Sequence, residues 1–74
     1  MKTLEDIKNE IKKYRSNFNE KLLEKAYYFA QKKHEGQVRK SGEPFFSHPT
    51  EVAFILAQKK MDTETIAAGL LHDV

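Results

Sequence analysis

The stretch that decides the fold is Asp62-Thr63-Glu64-Thr65-Ile66-Ala67-Ala68-Gly69-Leu70-Leu71-His72-Asp73-Val74. Asp62 is a preferred helix N-cap, and Thr63, Ile66, Ala67, Leu70 and Leu71 follow at helical spacing. From Ile66 to Leu71 no side chain is polar, so the helix is expected to be buried all round. It then meets His72 and Asp73. An ionised carboxylate at the end of a buried helix is costly unless it is paired or binds a metal. Helical side chains lean toward the N-terminus, so His72 and Asp73 are expected over Ala68 and Gly69, two small residues that leave room for a bound group.

His48 gives a matching signal upstream. It precedes Pro49, a residue suited to a helix start, and lies one turn before Val52 on the side carrying Ala53, Ile55 and Leu56, so it is expected to point inward. Two imidazoles and a carboxylate reaching one point from two helices suit a divalent ion such as Mn²⁺, Fe²⁺ or Zn²⁺. His34 reads differently. It follows Tyr27 and Ala30 on a packing stripe, with only the exposed-looking Glu35 beside it, and is expected to be a core histidine.

The rest of the chain is helical on the same criteria. Leu4, Ile7, Ile11 and Tyr14 recur at helical spacing behind a Thr3/Asp6 capping box, and Asn19 caps a second run through Leu22, Leu23, Ala26, Tyr27, Phe29 and Ala30 that stops near Gly36. The expected architecture is all-α: four helices at about residues 4 to 15, 20 to 34, 49 to 59 and 63 to 74, with no sheet. At 74 residues the chain is at most one domain and buries only about 60% of its unfolded surface. The lack of cysteine excludes a disulfide framework and a thiolate nucleophile or ligand. No leader-like segment or membrane-length apolar run is present, so a cytoplasmic chain is expected, with neither membrane nor DNA as partner.

Between the second and third helices, Glu35 to Ser47 contains Gly36, Gly42 and Pro44 and has no helical period, which reads as a loop. Its centre, Gln37-Val38-Arg39-Lys40-Ser41-Gly42, offers a planar cation, a point charge and hydrogen-bond donors. Charge is unevenly divided: 11 basic and 6 acidic residues from Met1 to Lys40 give +5, and 2 basic and 5 acidic from Ser41 to Val74 give −3. A basic half attracts phosphorylated ligands and an acidic half with histidines attracts cations, although lysine-rich helix faces are commonly just solvated.

Taken together, His34-Glu35-Gly36-Gln37-Val38-Arg39-Lys40-Ser41-Gly42-Glu43-Pro44, then His48-Pro49, then Leu70-Leu71-His72-Asp73-Val74 resemble the N-terminal HD hydrolase domain of RelA/SpoT homologues. Those enzymes make and degrade the alarmones ppGpp and pppGpp. The resemblance implies an all-helical, Mn²⁺-dependent domain that removes the 3′-pyrophosphate to give GDP or GTP and pyrophosphate. It implies His48, His72 and Asp73 as metal ligands and Arg39, Lys40 and Ser41 as nucleotide contacts, with Arg39 against guanine. Synthetase-only members lack the His-Pro and His-Asp residues that this chain keeps. The family continues with a Glu-Asp pair that handles the attacking water and, later, a fourth metal ligand. The 74 residues are therefore expected to be a partial HD domain, the N-terminal piece of a longer protein with a synthetase domain behind it. The resemblance places the catalytic carboxylates beyond Val74; Glu51 and Glu64 are read as outward-facing, and the piece alone is expected to be inactive.

Two other functions fit less closely. One is a non-catalytic module that binds an alarmone or caps a partner helix; the other is a different HD-type phosphohydrolase, against which the Arg39-to-Pro44 loop argues.

Overall fold

The computed structural model describes all 74 residues as four α-helices: α1 Leu4–Lys12, α2 Glu20–Lys33, α3 Ser47–Gln58 and α4 Thr63–Leu71. The caps are those the sequence supplies. Thr3 and Asp6 form the reciprocal capping box, Asn19 accepts from the Leu22 amide, and Asp62 accepts from the Thr65 amide. α4 lies between α2 and α3, and α1 packs on α3. The core joins Ile7 and Ile11 of α1, Leu23, Ala26, Tyr27 and Ala30 of α2, Ala53 and Ala57 of α3, and Ile66, Ala67 and Leu70 of α4, with Phe46 from the loop. Lys8 further ties α1 to α2, its Nζ 2.6 Å from Glu24 and 3.4 Å from Glu20.

Several expectations need correction. α1 ends at Lys12 rather than residue 15, because after its C-cap the chain tightens into a turn in which the Tyr14 amide bonds the Ile11 carbonyl. Tyr14 instead pins that turn to the far side of the fold, its hydroxyl donating to the Met61 carbonyl at 2.8 Å. α3 starts at Ser47, two residues before Pro49, because the chain is already coiling: the Ser47 and His48 amides bond the Pro44 and Phe45 carbonyls. Pro49 is then the third helical residue, where an amide would still have no partner. Ile55 is not on the inner side of α3. The buried face is Thr50, Ala53 and Ala57, and at 100° per residue Ile55 falls on the opposite side, where it is exposed.

α4 also departs from its reading. It stops at Leu71 rather than 74, and it is not buried all round: Ala68 and Leu71 face outward. Leu71 lines an open apolar groove with Leu22, Ala26 and Phe29 of α2. Gly69 does not leave room for a bound group. A Cβ there would stand 2.7 Å from Leu56 Cδ1 and 3.4 Å from Val52 Cγ1, so its lack of a side chain is used to bring α4 against α3.

The loop is more ordered than its glycines and proline suggested. Phe45 N donates to Gln37 O at 2.9 Å, Val38 and Pro44 form an isolated antiparallel bridge, and Arg39 N donates to Glu43 O at 2.8 Å. Gly42, at φ +91°, takes the left-handed position and donates to Arg39 O at 2.9 Å. This is a three-residue hairpin turn with a glycine bulge, and it leaves Lys40 and Ser41 at the tip. Phe46 anchors its return edge-on to Tyr27, ring centroids 5.0 Å apart.

Candidate metal centre

His48 sits in the first turn of α3, His72 is the C-cap of α4, and Asp73 follows it. The packing of α3 against α4 at Gly69 brings them together. One ligand atom from each of the three lies within 4.8 Å of the others. Asp73 Oδ2 is 3.0 Å from His72 Nε2 and 3.6 Å from His48 Nε2, and the imidazole centroids are 5.2 Å apart. All three side chains are a little over one-third exposed, so Asp73 is a carboxylate at the rim of the fold rather than under a buried helix.

The donor set fits a divalent ion. His72 Nδ1 contacts the Gly69 carbonyl, which only accepts, so Nδ1 carries a proton and Nε2 is the nitrogen left to bind an ion. Nε2 stands 3.0 Å from an Asp73 carboxylate oxygen, which places the two as neighbouring donors for one cation. Two donors each about 2.1 Å from one ion stand about 3.0 to 3.4 Å apart in octahedral or tetrahedral geometry, close to the two separations seen here. The C-terminal end of α4, negative by its dipole, adds attraction for a cation.

The nucleotide-loop candidates are only partly gathered. Arg39 lines a cavity of about 280 Å³ together with Glu43, Ser47, His48 and Glu51. Lys40 and Ser41 do not line it and are exposed at the hairpin tip. Two residues of this cavity, Glu43 and Ser47, were given no role in the sequence, and a third was weighed only as a catalytic carboxylate. Glu51, taken as outward-facing, is one turn after His48 and lines the same space; the i to i+3 spacing held that information. Ser47 keeps a buried hydroxyl oxygen without a hydrogen-bond partner, and Glu43 enters the cavity because the hairpin folds it back opposite Arg39.

Residues 26–74 match the family model described as HD domain. The chain is 48% identical over 68 residues, 92% of its length, to GTP pyrophosphokinase rsh of Brucella melitensis. It is 47% identical over all 74 residues to the bifunctional (p)ppGpp synthase/hydrolase SpoT of Escherichia coli K12, and equally to the guanosine-3′,5′-bis(diphosphate) 3′-pyrophosphohydrolase of Shigella flexneri. The chain spans about a tenth of the length of these curated relatives, 9% of the first and 10% of the other two.

Proposed function

The chain belongs to the HD-domain family, and on that premise we propose that it supplies the metal centre and nucleotide loop of a Mn²⁺-dependent (p)ppGpp 3′-pyrophosphohydrolase acting in the cytoplasm in the stringent response. One observation carries the reading: His48, His72 and Asp73 converge within 4.8 Å while Arg39 lines a cavity with the first of them. An anion-binding loop beside a cation-binding cluster is what a phosphate ester needs at its two ends. The relatives' names, which carry (p)ppGpp and guanosine-3′,5′-bis(diphosphate), support that nucleotide as the ligand.

His48, His72 and Asp73 hold the ion, which when bound supplies Lewis acidity to a phosphoryl group and acidifies water. The remaining chemistry falls to the chain's own groups. Arg39 offers a planar guanidinium on which guanine stacks, and Lys40 and Ser41 at the hairpin tip reach phosphate oxygens. The Gly69 carbonyl holds the His72 ring so that Nε2, not Nδ1, faces Asp73. Water adds to the phosphorus attached to O3′, the O3′–P bond breaks, and O3′ leaves with a proton, giving GDP or GTP and pyrophosphate. Within these 74 residues the carboxylates beside the cluster are Glu43 and Glu51, neither in hydrogen-bond contact with His48 or His72. Unaided, the 74 residues are expected to bind the nucleotide and not to turn it over.

The test is Mn²⁺ titration followed by manganese electron paramagnetic resonance, then guanosine tetraphosphate binding with and without Mn²⁺. The expected result is one Mn²⁺ per chain, lost in Asp73→Asn, and nucleotide binding that strengthens at least ~10-fold with Mn²⁺. Nucleotide binding equal in parent and Asp73→Asn with Mn²⁺ present would overturn the reading. Pyrophosphate release by the 74 residues that Glu51→Gln abolishes would make Glu51 the base.

A further inference from the structure

His34 caps the C-terminal end of α2 and is 5% exposed. Its Nδ1 lies 3.1 Å from Gln37 Oε1, and Gln37 Nε2 donates to the Lys33 carbonyl at 3.2 Å. The second bond fixes the amide with its oxygen toward the ring, so Nδ1 is the protonated nitrogen. Nε2 is then a buried acceptor, and it has no partner. The other contact is aromatic: the ring lies against Phe45, centroids 4.7 Å apart at 33°.

Gln37 and Phe45 are opposite ends of one hairpin, joined by the Phe45 N to Gln37 O bond of 2.9 Å. Arg39 is two residues beyond Gln37, and the Phe45 carbonyl accepts from the His48 amide at 3.1 Å. One imidazole therefore touches the leg that leads to the guanidinium and the leg that leads to the metal-ligand histidine. Residues 35 to 44 are otherwise all exposed, and a two-stranded hairpin is marginal by itself. For packing alone, an apolar ring would serve better here, since it would bury no unpaired acceptor. What the imidazole adds over phenyl is the bond to Gln37.

We propose that His34 is a positioning residue: buried beneath the hairpin, it grips Gln37 and Phe45 and thereby sets Arg39 relative to His48 for nucleotide binding. This rests on the function proposed above. In this role His34 acts through Arg39 and not by contact with nucleotide or metal.

The experiment measures, on the whole chain, guanosine tetraphosphate affinity at saturating Mn²⁺, Mn²⁺ affinity, melting temperature and hydrogen exchange at the Arg39 and Phe45 amides. His34→Phe, which keeps the stacking and removes the orphaned acceptor, is expected to melt no lower than the parent and bind Mn²⁺ equally. It is expected to lose about 10-fold in nucleotide affinity, the lower end for loss of an orienting partner, with faster exchange at both amides. Gln37→Leu should match it, and the double variant should be no worse than either single. His34→Asn, whose amide nitrogen can take the place of Nδ1, should recover part of the affinity. Added to Arg39→Ala, His34→Phe should cost nothing more. Parent-like nucleotide binding by His34→Phe overturns the proposal. So does a parallel fall in melting temperature and Mn²⁺ affinity, or a loss that adds fully to that of Arg39→Ala. If the parent binds no guanosine tetraphosphate, or Arg39→Ala binds like the parent, the function itself is refuted and the nucleotide role of His34 with it; accelerated exchange would then leave only a structural clamp.

Discussion

Gly69→Ala separates helix propensity from helix packing, because the two predict opposite signs. In an exposed helix interior the change is worth about 1 kcal/mol in favour of alanine. At a two-state domain of this size that would raise the melting temperature by about 4 to 8 °C. Here the new Cβ would stand 2.7 Å from Leu56 Cδ1, against an ordinary carbon contact of about 3.5 to 4.0 Å. Roughly 1 Å has to be absorbed by Leu56 or by α4 itself, and overpacking of that kind costs typically about 1 to 3 kcal/mol. The net expectation is a loss of about 0 to 2 kcal/mol. The same displacement moves His72 and Asp73 away from His48, since the Gly69 carbonyl holds the His72 ring, and Mn²⁺ affinity is expected to fall about 10-fold. Thermal melts and Mn²⁺ titration of Gly69→Ala, Leu56→Ala and the double variant provide the assay. The double should be more stable than the sum of the singles, because the alanine methyl enters space that Leu56 vacates. A rise of 4 to 8 °C for Gly69→Ala with parent-like Mn²⁺ affinity would refute the packing account.

Arg39→Ala is expected to weaken guanosine tetraphosphate binding without changing Mn²⁺ affinity, and Arg39→Lys should not restore it, because an ammonium does not stack as a planar guanidinium does; parent-like binding by the lysine variant would reduce Arg39 to a surface charge. The carboxyls of Asp6 and Asp62 are held below the ordinary range, chiefly by the Thr3 backbone bond at Asp6 and the Thr65 contacts at Asp62. A depressed carboxyl contributes stability above its unfolded value, 3.8 here, that is lost as pH falls through the lower folded value. Melts recorded from pH 5 down to pH 2 should therefore fall more steeply for the parent than for Asp62→Asn, which keeps a capping acceptor and does not titrate. Lys60, at φ 62°, is the left-handed residue after α3: its amide bonds the Ala57 carbonyl while that of Met61 bonds the Leu56 carbonyl. Lys60→Gly should stabilise by about 1 kcal/mol, seen as a melting temperature higher by about 4 to 8 °C; an unchanged or lower value counts against the strain.

The sequence made the helices legible because its caps are local. Thr3, Asn19 and Asp62 each satisfy the amide three residues on, so a linear reading finds them. It failed where the deciding partner is distant. Gly69 and its neighbours looked like space for a ligand, and only the approach of Leu56 and Val52 shows otherwise. Ile55 was placed inward because Val52, Ala53, Ile55 and Leu56 were taken as one face, whereas Ala53 and Ala57 mark the side on which α4 and α1 pack. The cluster of His48, His72 and Asp73 was legible as residue types and as a meeting point of two helices; its separations were not, since they depend on how closely the helices approach. The hairpin was hidden for a related reason: Gly36, Gly42 and Pro44 signal a break in helix equally well for a coil and for a bulged turn.

The geometry divides the two halves of the candidate site between different supports. His72 and Asp73 depend on α4 lying tight against α3, and so on the bare backbone at Gly69. Arg39 depends on the hairpin, and the hairpin on His34, Gln37 and Phe45. His48 alone belongs to both, through the Phe45 carbonyl on one side and Asp73 on the other. A substitution at the helix interface should therefore change cation affinity first and nucleotide affinity only through the cation. One at the His34 clamp should change nucleotide affinity and leave the cation bound. A site built as a single rigid unit would lose both together, so the ratio of the two affinities across these variants reports how the basic loop and the cation cluster are joined.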